Sequence, residues 1–291
     1  MSSLVKLSVV MLLAATIGGC FTITNLLTST DNYRVVRGIA YGSHARQQLD
    51  VYVPAAFKSS MTPLPVVVFY YGGGWFSGNR SDYAFMGQAF SAHEFIVVIP
   101  DYRLYPEARF PDFVKDGADA FRWVSRHIAA YGGDPRNISI VGHSAGANIG
   151  GLLHFDEHYL GDAVRPVRFV GIAGYYDIQP GDSNFMRKLL VTPGNYPRAR
   201  PENFVDGTEA PTLLLHGEQD SVVPVGNSRQ LAQAVRHKGG CVMEHYYADI
   251  GHLSSMAALA EPFRGWADIL QQVIDFLRLP SQGQLRPCYV P

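Results

Sequence analysis

From residue 65 onward the chain alternates between two kinds of apolar pattern. Pro65-Val66-Val67-Val68-Phe69-Tyr70 and Phe95-Ile96-Val97-Val98-Ile99 are short continuous apolar runs, as expected of strands that helices cover on both faces. Ile138 to Val141, Val167 to Ala173, Thr212 to Leu215 and Val242 to Ala248 read as further strands. Between them the period changes. Phe113, Gly117, Phe121, Val124 and Ile128 recur at helical spacing, with Pro111-Asp112 opening the helix and Tyr131-Gly132-Gly133-Asp134-Pro135 closing it. Asn227 to Lys238 and Gly265 to Leu279 predict two more helices. Strict alternation of strand and helix predicts an α/β fold, a mostly parallel central sheet with helices on both faces. Upstream, Tyr33 to Ala40 and Gln47 to Val53 are β-rich runs separated by Tyr41-Gly42-Ser43-His44, which predicts a hairpin.

Two stretches depart from this rhythm. Residues 174–210 carry Pro180, Pro193, Pro197 and Pro201, with one helical stretch from Asn184 to Val191; they read as a small lid-like insertion over one end of the sheet. At the other extreme, Lys6 precedes an apolar run from Leu7 to Ile17 that ends in Gly18-Gly19-Cys20. A basic start, an apolar run and small residues predict a signal peptide over residues 1–19. Ile17-Gly18-Gly19-Cys20 resembles the bacterial lipobox, which implies lipidation at Cys20 and an exported protein anchored in the bacterial envelope. Residues 20–32, rich in Ser, Thr and Asn, read as a tether with little structure of its own, and 33–291 as one domain.

Composition narrows the classes. With 47% hydrophobic and 17% charged residues among 291, the chain is globular rather than disordered or fibrous. Twenty-four basic and 25 acidic residues leave a net charge of −1, so there is no basic excess to support nucleic-acid binding. No apolar stretch reaches the roughly 18 residues of a membrane span. With Cys20 acylated, Cys241 and Cys288 remain, either as a disulfide or as two unlinked thiols.

The sharpest chemical signal is Gly142-His143-Ser144-Ala145-Gly146, directly after an apolar strand and before a helical stretch. A turn this tight needs small neighbours and exposes the serine hydroxyl at the sheet edge beside a helix N-terminus, which suits a nucleophile. A serine needs a base, and the base an orienting acid. Leu215-His216-Gly217-Glu218-Gln219-Asp220 places two acids just beyond a strand; Asp220, deeper in the loop, is the better candidate and Glu218 the fallback. After the last strand comes Asp249-Ile250-Gly251-His252, where Gly251 permits a turn that aims His252 back over the sheet. His245 within a strand and His237 on a helix are weaker candidates. Tyr71-Gly72-Gly73-Gly74-Trp75 follows another strand; N–H groups of Gly73, Gly74 and Ala145 are candidates for an oxyanion hole. Trp75, Phe76, Tyr175 and Tyr176 are placed to line a substrate pocket or to pack in the core. Asp101 and Arg103 read as a structural pair shaping the neighbouring loop. His154-Phe155-Asp156-Glu157-His158 matches a zinc-peptidase pattern, but no third ligand is evident and no metal is expected.

These motifs, in this order, resemble the α/β-hydrolase fold. The Gly-Gly-Gly loop and Asp101-Tyr102-Arg103-Leu104-Tyr105-Pro106-Glu107 resemble the hormone-sensitive-lipase-like esterases. Gly171-Ile172-Ala173-Gly174-Tyr175-Tyr176-Asp177-Ile178 is more similar to the branch holding isoprenylcysteine methylesterases, arylformamidases and bacterial polysaccharide-deacetylating esterases. The resemblance runs from about Tyr33 to Leu279. It implies Ser144 as nucleophile, Asp220 as acid, His252 as base, Gly73, Gly74 and Ala145 as oxyanion donors, a small-molecule ester as substrate, and no cofactor. An arylformamidase or peptide hydrolase would share the triad, and a catalytically silent surface binding protein would usually have lost part of it. One position departs: the family usually has His before the three glycines, and this chain has Tyr71, so a phenol must replace that imidazole's hydrogen bonds or they are lost.

Overall fold

A computed structural model of the chain describes residues 24–58, 60, 62–161, 165–179, 181 and 183–279. The expected signal peptide, Cys20 and Cys288 lie outside the described residues, whereas Cys241 is disulfide-bonded. Among the described residues no helix is long and apolar enough to cross a membrane.

The strands are β1 (Tyr33–Ala40), β2 (Gln48–Pro54), β3 (Leu64–Tyr70), β4 (Ile96–Pro100), β5 (Gly133–His143), β6 (Phe169–Ile172), β7 (Thr212–Gly217) and β8 (Val242–Tyr247). They form one eight-stranded sheet in the order β1-β2-β4-β3-β5-β6-β7-β8. The hairpin β1–β2 and the pair β2–β4 are antiparallel. Every pair from β4 through β3 to β8 is parallel. Val66 to Tyr70 of β3 and Ile96 to Ile99 of β4 have no accessible surface, which is why these strands read as unbroken apolar runs rather than alternating ones.

The principal helices are α1 (Ala84–Ser91), α2 (Asp112–His127), α3 (Ala145–Phe155), α4 (Glu157–Leu160), α5 (Asn184–Leu190), α6 (Asn195–Arg198), α7 (Gly226–His237), α8 (His252–Ala257) and α9 (Ile269–Leu277). α1 packs on β1, β2 and β4; α2 and α3 pack on each other and on β5; α7 covers β7 and β8. Close approach dictates small residues at these seams. A Cβ on Gly117 of α2 would come within 2.7 Å of Ile149 on α3.

The strand order reverses beside β3: the chain leaves β3 for β4 on one side and returns to β5 on the other. Such a switch point opens a crevice at the carboxyl ends of the strands, where ligands bind in open α/β sheets. The glycine loop follows β3 and Ser144 follows β5, so this crevice lies between them.

Four expectations change. β5 begins at Gly133, inside the stretch read as a closing turn, because Gly132 at φ +91° ends the preceding helical turn and the chain passes directly into the sheet. The helix expected over Gly265–Leu279 divides into a 3-10 turn at Glu261–Trp266 and α9, separated by extended backbone at Ala267. The stretch of the expected tether from residue 24 is not structureless: Asn25 donates its side-chain amide to the carbonyls of Ser81 and Asp82 and accepts from the N–H of Phe85, and Thr24 and Thr28 are buried. α1 was not expected from periodicity, because it is buried all round and presents no polar face to reveal a period.

Candidate active site

Ser144 sits between β5 and α3 at φ 54°, ψ −121°, a left-handed conformation that costs a non-glycine residue about 1–3 kcal/mol and persists only where the surroundings enforce it. Here they do. A Cβ on Gly146 would lie 2.1 Å from the Tyr70 carbonyl oxygen, and one on Gly142 would lie 2.6 Å from Cα of Ala147. Only glycines allow β3, β5 and α3 to approach closely enough to hold the serine this way.

The structure brings Ser144, His252 and Asp220 together from the ends of three strands. His252 Nε2 is 3.0 Å from Ser144 Oγ, and its Nδ1 is 2.7 Å from Asp220 Oδ2. All three residues are buried. Burial alone would raise the Asp220 carboxyl; hydrogen bonds from His216 and His252, the attraction of His252 and the Val223 N–H outweigh it and hold the group well below the usual carboxylate range. Asp220 is therefore ionised, His252 Nδ1 carries the proton it donates, and Nε2 is left to accept from the serine hydroxyl. Oδ1 of Asp220 accepts from the backbone N–H groups of Val222 and Val223 at 2.9 and 2.8 Å. Glu218, the fallback acid, instead pairs at the surface with Arg229 at 2.7 Å. His245 and His237 are exposed and stand apart from this group.

The glycine loop abuts the serine: a Cβ on Gly72 would meet Cβ of Ser144 at 2.9 Å. Gly73 and Gly74 have φ of +125° and +61°, conformations open to glycine at little cost. A turn in which the N–H groups of Phe76 and Ser77 donate to the Gly73 carbonyl fixes the loop. The N–H of Ala145, first in α3, belongs to the set that has no partner inside a helix. The three N–H groups expected to form an oxyanion hole thus lie on the two segments that flank Ser144.

Tyr71 keeps the glycine loop in place by hydrogen bonds that the sequence did not reveal. Its hydroxyl donates to Asp101 Oδ1 at 2.6 Å and accepts from Arg46 at 2.9 Å. The ring is stacked between Tyr83 and Tyr102, and Tyr102 donates its hydroxyl to the Tyr71 carbonyl. Burial and the adjacent Asp101 push the phenol well above its ordinary value, so it remains a neutral donor. Asp101 and Arg103 do not pair with each other. Asp101 is bound by Arg80, which also bridges to Asp50 at 2.7 Å, while Arg103 grips Asp116 with two nitrogens.

Of the four aromatic candidates, Tyr176 is core. It has no accessible surface, and its ring and hydroxyl fill the space beside Gly171 and Gly174, so it cannot line an open pocket. Trp75 is also buried, against Phe113 and Tyr175. Phe76 and Tyr175 are half-buried. Phe76 meets Phe185 of α5 edge-on at 5.4 Å, which docks the lid-like insertion on the glycine loop.

His143 packs its ring 4.8 Å from that of His252 and donates from Nε2 to the His252 carbonyl at 3.3 Å. Burial and the neighbouring His252 lower it to about 3, so it is neutral. The zinc-like pattern is divided: α3 ends at Phe155, His154 Nε2 donates to the Ala210 carbonyl at 2.9 Å, and His158 is exposed on α4. Among the described residues no group of three His, Cys, Asp or Glu is placed to hold a metal.

Comparison with known proteins agrees with this geometry. Residues 49–165 match the family model described as BD-FAE, and residues 108–252 match the one described as Serine hydrolase (FSH1). An Arabidopsis thaliana protein described as a probable isoprenylcysteine alpha-carbonyl methylesterase is 38% identical over 282 residues, covering 87% of this chain and 65% of the relative. A second from Arabidopsis thaliana is 30% identical over 260 residues, covering 80% and 54%. The chain thus spans roughly half to two thirds of the length of these relatives. A solved carbohydrate esterase from gut microbiota superposes with a TM-score of 0.75 at 22% identity over 86% of this chain and 97% of its own. An esterase from Pyrobaculum calidifontis gives 0.75 at 19% over 92% of each. By its sheet order, its strained serine turn and these likenesses, the chain has the α/β-hydrolase fold, and its sequence resemblances lie on the carboxylesterase side.

Proposed function

We propose that this protein is a serine carboxylic-ester hydrolase acting on short-to-medium acyl or aryl esters through an acyl-enzyme. The observation that carries the reading is the continuous hydrogen-bonded path Ser144–His252–Asp220 ending at a strained turn. The relatives described as methylesterases and esterases support it.

In this reading His252 Nε2 takes the Ser144 proton as Oγ attacks the acyl carbonyl carbon. The carbonyl π electrons move onto oxygen, and the N–H groups of Gly73, Gly74 and Ala145 stabilise that charge. Asp220, ionised and anchored by two backbone N–H groups, stabilises the imidazolium without taking its proton. The C–O bond to the leaving group then breaks, and His252 protonates the departing alcohol. Water repeats the attack on the acyl-enzyme with His252 again as base, releasing the acid and restoring the serine.

The test is labelling with a fluorophosphonate together with hydrolysis of p-nitrophenyl acetate. Ser144→Ala should abolish labelling and lower kcat by on the order of 10³-fold or more while the protein stays folded. His252→Ala should match it, and His245→Ala should remain active. Near-normal turnover by folded Ser144→Ala would remove the nucleophile assignment.

A further inference from the structure

We propose that His216 is a positioning residue for the proton relay: it fixes Oδ2 of Asp220 in line with His252 and thereby sets how strongly His252 binds its proton. The inference deepens the ester-hydrolase reading and rests on it for its catalytic consequence.

His216 lies on β7, next to its last residue and four residues before Asp220, and neither its side chain nor that of Asp220 is exposed. Its Nε2 faces two acceptors, Asp220 Oδ2 at 3.2 Å and the Val223 carbonyl at 3.0 Å. A ring nitrogen between two acceptors must carry a proton. Its Nδ1 is 2.8 Å from the hydroxyl of Ser228 on α7, which is itself fully buried. The imidazole therefore ties the acid's loop to β7 on one side and to α7 on the other, among buried side chains.

The arrangement divides the carboxylate. Oδ1 is held by two backbone N–H groups, and Oδ2 by two imidazoles, His216 and His252. His216 comes from a sheet strand, whereas His252 opens a short helix after a loop. The strand histidine is thus the fixed reference for Oδ2. A second donor on Oδ2 also withdraws part of the charge that would stabilise protonated His252. Without it, orientation loosens and His252 holds its proton more tightly.

The other charged and titratable neighbours leave this pair isolated. From β5, His143 is neutral beside His252. From β8, Tyr246 is the register neighbour of His216, and its phenol, raised by burial and Glu244, is committed to that carboxylate, which Arg236 pairs. Arg229 of α7 pairs with Glu218 at the surface.

The experiment compares wild type with His216→Phe, His216→Gln and His216→Asn. Titration of His252 is followed by NMR on ¹⁵N-histidine-labelled protein, and kcat, KM and their pH profiles are measured on p-nitrophenyl acetate. The Gln amide reaches the Nε2 position and the Asn amide only the Nδ1 side. His216→Phe and His216→Asn should lower kcat by on the order of 10- to 100-fold with little change in KM. Both should move the His252 midpoint and the acid limb upward relative to wild type. His216→Gln should restore most of both. Equal midpoints in wild type, Gln and Asn variants overturn the proposal, as does a loss of kcat that only follows the folded fraction. If wild type hydrolyses no ester, the functional reading fails, while the NMR midpoints still decide the role of His216.

Discussion

At the scale of single residues, the site depends on buried polar groups whose partners come from distant parts of the chain. Tyr71 is the instructive case. Its phenol stands in a stack of three aromatic rings and binds Asp101, a carboxylate that also receives Arg80. Removing the hydroxyl leaves buried acceptor capacity on Asp101 and a guanidinium nitrogen of Arg46 short of one partner, a loss of about 1–3 kcal/mol. The backbone of Tyr71 leads directly into Gly72-Gly73-Gly74, so the loss should reach the oxyanion donors. We expect Tyr71→Phe to lower Tm and to reduce kcat by on the order of 10-fold with KM nearly unchanged. Thermal unfolding and steady-state kinetics check this; a stability loss with kcat intact would show that the phenol supports the fold but not the hole.

At the scale of elements, α5 is the part of the lid-like insertion that docks on the glycine loop. Ser183 caps it by accepting the Met186 N–H, and it buries Met186, Leu189 and Leu190. Phe185 meets Phe76 at 5.4 Å and Tyr105 at 5.3 Å, and the Leu189 carbonyl accepts from the N–H of Phe110. A short helix docked this way narrows the space beside the glycine loop. We expect kcat/KM on p-nitrophenyl esters to peak between acetyl and hexanoyl. Phe185→Ala should move the peak to longer chains, since each misfit methylene is worth roughly 1–3 kcal/mol of discrimination. A wild-type optimum at dodecanoyl, or an unmoved optimum in the variant, would contradict this placement of α5.

At the scale of the whole molecule, two fully buried histidines tie stability to pH. Burial lowers His143 and His154 to about 3, whereas an unfolded histidine titrates near pH 6.5. Between these values the unfolded chain binds more protons than the folded one, so folding stability rises with pH. It is complete above about pH 6.5 and is lost as pH falls towards 3, each histidine contributing about 1.4 kcal/mol per pH unit across the window. Asp220 works in a lower range: its depressed carboxyl adds stability that disappears only below the ordinary carboxylate value near pH 3.9. His154 lies away from the serine, and a Gln amide there can still donate to the Ala210 carbonyl. Urea unfolding from pH 4 to 7 should give His154→Gln a slope of stability against pH shallower by about 1.4 kcal/mol per unit. Parallel curves for wild type and variant would mean that the buried imidazole titrates normally.

Sequence by itself determined what local chemistry enforces. Unbroken apolar runs marked β3 and β4 because both faces of each strand are covered, and helical spacing marked α2. The Gly142 to Gly146 turn was legible because no other residues fit between β3 and α3. Ser144, Asp220 and His252 could be named singly, each at the end of a strand, but the 108-residue separation of serine and histidine says nothing of the 3.0 Å between them. That distance, the pairing of Glu218 with Arg229 at the surface, the withdrawal of Tyr176 into the core, and the hydrogen bonds of Tyr71, His143 and His216 were decided by the tertiary structure alone. The physical reason is common to all of them: a buried polar group must find a partner, and sheet order rather than chain order brings those partners within reach.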